Sequence, residues 1–145
     1  MTILPYDERY RDDMIFMVLQ AKDALGRVPR LNEDLLDIRA NYIARGGGFF
    51  LALDEADRVI GCGGWSRVPD TGAAFLHRLY VKAAYKRRGI GTKLLETIEA
   101  DLRRHGVTLA RVHLGAPREQ WLESYAFYPK HGYRADAERY MKKEL

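Results

Sequence analysis

The stretch from Tyr85 to Leu95, YKRRGIGTKLL, decides the fold. It joins a β-branched and aromatic run ending at Val81 to an amphipathic helix, and the joint is a basic turn holding Gly89 and Gly91. At a helix start the first backbone N–H groups lack helical acceptors, and the helix dipole favours negative charge. Glycines at that point allow close approach of a ligand to the backbone. Lys82, Lys86, Arg87 and Arg88 add side-chain charge to the same place. The combination reads as a phosphate cradle, with a solvated basic turn as the plain alternative.

Working outward, AAFLHRLYV (Ala73 to Val81) reads as a strand from its Phe, Leu, Tyr and Val content. Gly91 to His105 reads as a helix because Leu94, Leu95, Ile98 and Leu102 fall on one face and Gly106 follows as a stop. A Walker A loop is excluded, since no Gly-Lys-Ser/Thr follows. A dinucleotide fingerprint fails because Leu94 stands where its third glycine belongs.

At 145 residues the chain predicts one domain, residues 1–145, able to bury a core. Hydrophobic content of 47% and charged content of 30% describe an ordinary globular protein. The net charge of +4 suits an anionic ligand, yet its concentration around residues 82 to 88 gives no separate argument for nucleic acid. A lone Cys62 forms no intramolecular disulfide and points to a reducing compartment. No stretch has signal-peptide or membrane-span character, so the expected setting is cytoplasmic and away from membranes.

Met14, Met17, Val18, Ala21 and Leu25 recur at helical spacing. A second short helix is expected from Asn32 as N-cap to before Gly46, with Leu31 and Leu36 as its staple. Phe49 to Leu53 and Val59 to Trp65 read as strands, Val107 to Leu114 as another, Arg118 to His131 as a helix, and Tyr133 to Leu145 as one or two closing strands. This order predicts an α/β fold with a mixed, mostly antiparallel central sheet flanked by helices on both faces.

With these segments in place, the chain resembles the GNAT superfamily of acetyl-coenzyme A dependent N-acetyltransferases. The family's pyrophosphate signature begins with Gln or Arg and ends in Gly-x-Gly or Gly-x-Ala; here it reads Lys86-Arg87-Arg88-Gly89-Ile90-Gly91, with lysine in place of the planar arginine fork. A second match is AFYPKHGY, Ala126 to Tyr133. The resemblance implies acetyl-coenzyme A as cosubstrate. Its contacts would come from Leu79, Tyr80 and Val81 on a bulged strand, from Lys86, Arg87, Arg88, Gly89, Ile90, Gly91 and Thr92 at the cradle, and from Ser124 on the last helix. The family's asparagine on that helix corresponds to Trp121, an aromatic wall for the acceptor site.

Acetyl transfer also needs proton handling. An alkylamine is deprotonated in only about one molecule in 2,500 at pH 7, so a base or water chain must act before attack. Tyr128 matches the family's general-acid tyrosine, its plain alternative being a packing aromatic beside Tyr125 and Phe127. The family's usual carboxylate falls on Phe75, which accepts no proton. His77, two residues on, is the candidate base, with Glu119, Glu123 or water as alternatives. Cys62 has no activating partner, so no covalent intermediate is expected. His105, His113 and His131 show no ligand spacing, so no metal is expected.

The acceptor is expected near Lys22 to Arg45, where mixed charges leave a small amine, an amino acid, an antibiotic or a protein terminus open. The oligomeric state, a homodimer included, is open too. The rival readings are a coenzyme A sensor without turnover and a basic nucleic-acid binding module; the latter is disfavoured because helix-start glycines suit a compact diphosphate better than an extended strand.

Overall fold

A computed structural model describes residues 1–145. In chain order the elements are β1 (Thr2–Pro5), α1 (Arg11–Ala24), a short α2 (Ile38–Asn41), β2 (Gly48–Leu53), β3 (Val59–Arg67), β4 (Ala73–Val81), α3 (Ile90–Arg104), β5 (Leu109–His113), α4 (Leu122–Lys130), β6 (Arg134–Ala137) and β7 (Tyr140–Glu144). The strands form one seven-stranded sheet in the order β1-β2-β3-β4-β5-β7-β6. Every neighbouring pair is antiparallel except β4–β5. Parallel neighbours need a crossover, and α3 supplies it. The mixed, mostly antiparallel sheet expected from sequence is the one observed.

Two apolar layers sandwich the sheet. The Leu94, Leu95, Ile98 and Leu102 stripe of α3 packs with Tyr128 against Ala74, Leu76, Ala110 and Val112. On the opposite face Met14, Met17, Val18, Leu35 and Ile38 cover Phe49, Leu51, Val59 and Cys62. β2 lies between the two helical layers, which is why all six of its residues are buried and its sequence shows no alternation.

Two features of β4 open the sheet. Its pairing with β5 covers only Ala73↔Leu109, Ala74↔Ala110 and Phe75↔Arg111, after which the strands part. On the β3 side Cys62 faces Tyr80 while Gly64 faces His77, so Arg78 and Leu79 together oppose Gly63. This is a β-bulge, and Arg78 takes φ 55 to make it. The bulge reverses the strand's alternation. Ala74 and Leu76 join the α3 layer, as do Leu79 and Val81, whereas Tyr80 joins the α1 layer.

The sequence reading missed β1, whose four residues end in a proline and show no alternation long enough to mark a strand. The helix expected over 32 to 45 is instead a 3-10 turn (Glu33–Leu36), α2, and a second 3-10 turn (Ile43–Arg45). Asn32 does not cap; its side chain accepts a hydrogen bond from Lys22 Nζ at 2.5 Å, and Asp37 caps α2 through Ala40 N at 3.0 Å. Leu31 and Leu36 stay exposed rather than stapling. The last helix starts at Leu122, after a 3-10 turn at Arg118–Gln120. The C-terminus forms two strands, turning at Arg139 with φ 67.

Candidate active site

A cleft of about 680 Å³ opens where β4 leaves β5. Leu76 to Val81 form one wall, Val112 to Gly115 the other, and the cradle and α4 close its sides. Beyond Phe75 the β5-facing edge of β4 has no strand partner, so its backbone groups are available to a ligand.

Gly89 stands at the start of α3 with φ 78, in the left-handed region that glycine adopts without strain. The first α3 bond from this turn runs from Lys93 N to Gly89 O at 3.0 Å, leaving the preceding amides without helical acceptors. A side chain at Gly91 would begin 3.5 Å from the Phe127 ring and 3.7 Å from Val81, in the cleft where the cradle meets both walls. This arrangement fits a diphosphate: unpartnered amides at a helix N-terminus, with cations beside them.

Of the expected contact residues, Leu79, Tyr80, Val81, Lys86, Arg87, Gly89, Ile90, Gly91, Thr92 and Ser124 line the cleft. Arg88 does not, and its guanidinium lies 5.1 Å from the centre of the Tyr85 ring. Lys86 pairs with Glu123 of α4. Thr92 Oγ1 lies 3.2 Å from His131 Nε2.

Tyr128 is 6% exposed and packs edge-on to Phe127 and Tyr133, yet its hydroxyl makes no hydrogen bond to protein and the residue lines the cleft. Burial, with a smaller contribution from Tyr80, holds its phenol well above the ordinary tyrosine range. Such a group keeps its proton until it is offered a strong base.

His77 sits on the face turned toward α2. Its ring is edge-on to Tyr42 at 5.9 Å, and Nε2 lies 2.6 Å from Ser66 Oγ. With Nε2 engaged, Nδ1 is the nitrogen left for a further partner. Burial lowers the imidazole pKa and Arg78 lowers it further, against a smaller opposing effect of Asp34. Both effects favour the neutral ring. Phe75 packs beside it and against Tyr140.

Two cleft residues, Arg27 and Arg139, gave no sequence signal as part of this site, because they reach it only through long-range contacts. Arg27, in the loop after α1, lies 3.5 Å over the Trp121 ring and donates Nε and Nη2 to Gln120 O at 3.2 and 3.1 Å. Trp121 in turn packs against Gly115, where a Cβ would come within 1.9 Å of the indole. Arg139 borders the same wall and donates Nε to Leu114 O at 3.0 Å. Cys62 is fully buried and its thiol is pushed up to about 12 by burial, which removes it as a nucleophile. No group of three or more His, Cys, Asp or Glu is placed to hold a metal ion. No helix is long and apolar enough to cross a membrane.

Comparison with known proteins agrees with this geometry. Residues 45–135, more than half of the chain, match the family model described as Acetyltransferase (GNAT) domain. Over 98 residues the chain is 30% identical to "Probable N-acetyltransferase 14" of Danio rerio; the match takes in 66% of this chain and 33% of that protein, so the chain spans about a third of that curated relative's length. Among solved structures it is similar to an acetyltransferase of the GNAT family from Staphylococcus aureus Mu50, with TM-score 0.87, 22% identity, and coverage of 99% of this chain and 98% of that one. It is also similar to the PaiA N-acetyltransferase of Thermoplasma acidophilum, solved in complex with coenzyme A, with TM-score 0.77, 21% identity and full coverage of both chains. The cradle at the start of α3, the splayed β4–β5 pair and the match over residues 45–135 lead to one assignment: the chain belongs to the GNAT family of acetyltransferases.

Proposed function

We propose that this protein transfers an acetyl group from acetyl-coenzyme A to a primary amine by direct attack within a ternary complex. The observation that carries this reading is the meeting, in one cleft, of the free α3 amides with the unpaired edge of β4. Acetyl-coenzyme A supplies a thioester whose carbonyl gains negative charge during attack. The α3 amides, Lys86 and Arg87 bind its diphosphate. The edge of Leu79 to Val81 orients the pantetheine arm and polarises the carbonyl.

Two side chains then move protons. His77, kept neutral by burial, accepts the amine's proton through Nδ1 directly or by one water. Tyr128, whose hydroxyl makes no hydrogen bond to protein and lies at the cleft, gives its proton to the departing thiolate. Cys62 takes no part, so no acetyl-enzyme forms.

The test is a thiol-release assay with acetyl-coenzyme A and a panel of amines, acylated products being identified by mass spectrometry. Amine-dependent release is expected. Binding of coenzyme A without release for any amine would show a sensor instead.

A further inference from the structure

The acceptor half of the cleft sorts its charges in a way that sequence order hides. Arg78 projects from the bulge, next to the Leu79–Val81 edge, and forms a fork on Asp34: Nε to Oδ2 at 3.1 Å and Nη2 to Oδ1 at 2.9 Å. Tyr42 donates to the same carboxylate at 2.6 Å. Burial opposes the Asp34 charge, but Arg78 and Tyr42 more than offset this and hold its carboxyl below the usual range. Asp34 is thus spent on the protein and does not line the cleft.

Arg27 and Arg78 do line it. A guanidinium has five N–H donors, and each of these arginines uses its Nε and one Nη2 proton on the protein. Beyond these bonds Arg78 has no further protein hydrogen-bond partner, and Arg27 faces only the Tyr80 phenol. The two arginines flank the Tyr80 phenol, each favouring its ionisation against the effect of burial. Behind them Lys22, 7% exposed, donates to Arg30 O at 2.8 Å and to Asn32 Oδ1. Three cations, Arg27, Arg78 and Lys22, therefore stand near two carboxylates, the committed Asp34 and Glu123. Glu123, the single acidic residue lining the cleft, is held by Lys86.

This field decides what can enter. A polyamine or other polycation would bring charges that repel the two arginines and find only Glu123, already paired with Lys86, as an acidic partner in the cleft. An amine carrying its own carboxylate answers both free guanidinium edges, in the bidentate geometry arginine provides. The same field helps the chemistry, because nearby cations disfavour the protonated form of an amine. Lys22 feels the same field: its ammonium is disfavoured first by burial and then by Arg78 and Arg27, against a smaller opposing effect of Asp34.

We infer that the acceptor is a primary amine bearing a nearby carboxylate, an amino acid or a compound of that charge pattern, whose carboxylate is bound by the free edges of Arg27 and Arg78. The inference rests on the acetyl-transfer reading and narrows its acceptor.

The test uses matched acceptors: free amino acids, their carboxamides and methyl esters, and as polycations a polyamine and an aminoglycoside. Two readouts are taken, kcat/KM and calorimetric binding to protein saturated with coenzyme A. The free acids should exceed their carboxamides by about 10- to 100-fold in both, the scale of a charge-assisted hydrogen bond. In Arg27→Gln that ratio should fall toward one, and Arg27→Lys should restore part of it. Equal handling of acid and amide, preference for a polycation, or an Arg27→Gln loss that is the same for both members of each pair would overturn the inference. If no amine is turned over while coenzyme A binds, the transfer reading fails and calorimetry alone judges this one: selective binding of the acids sustains it, and its absence overturns it.

Discussion

Lys86 and Glu123 form an ion pair that joins the phosphate cradle to α4 across the cleft, so the first basic residue of the cradle is shared between a carboxylate and the ligand's phosphate. The pair is partly exposed, the Glu123 side chain at 61%, and an exposed pair is worth at most about 1 kcal/mol. Glu123→Ala should therefore tighten coenzyme A binding by about 2- to 5-fold in low salt, and the gain should shrink as salt rises. Unchanged affinity together with a large loss of turnover would instead make Glu123 the proton acceptor.

Tyr128→Phe should lower kcat by about 10²- to 10⁴-fold, the usual range for a general acid, while leaving coenzyme A affinity nearly unchanged. The hydroxyl makes no hydrogen bond to protein and the ring carries the packing, so thermal stability should also hold. Retained turnover would reduce Tyr128 to a packing residue.

Much of this site could be read from the sequence, but not all of it. Gly89, Gly91 and the α3 stripe lie within one strand–turn–helix unit, so local rules place the cradle. The bulge sets Arg78 and Leu79 against Gly63 across the sheet, and nothing in the local run Ala73 to Val81 encodes it. Arg27 reaches Gln120 over 93 positions, and Arg78 reaches Asp34 over 44. Such contacts exist only once the two helical layers have closed on the sheet. The 32 to 45 region departs from the expected helix for a related reason: Asn32 offers its side chain to Lys22 rather than to its own helix start, a tertiary partner winning over a local cap.

The pH dependence follows from the lowered pKa of His77. Its protonated form accepts no proton, so kcat/KM should fall on the acidic side with a midpoint below the ordinary histidine value of 6.5. The same shift has a stability consequence. The unfolded chain binds this proton more readily than the folded one, so the His77 contribution to stability is present above pH 6.5 and is lost as pH falls through the lowered value. His77→Ala should remove both the acidic limb and this part of acid destabilisation, read by rate profiles and by thermal melts from pH 5 to 8. A limb that persists in the variant would assign the base to Glu119, Glu123 or water.

The measurement that bears most directly on the central claim is calorimetric titration of coenzyme A into the wild-type protein and Gly91→Val. At Gly91 a Cβ meets the protein only at ordinary contact distances of 3.5 to 3.7 Å, so the variant should fold, as circular dichroism and its melting temperature would verify. The added branches would bar a diphosphate from the α3 amides, and loss of two charge-assisted hydrogen bonds alone would weaken binding by about 100-fold or more. Binding of one coenzyme A per wild-type chain that disappears in folded Gly91→Val is the predicted result. Absence of binding to the wild type, or equal affinity in the two proteins, would contradict the account.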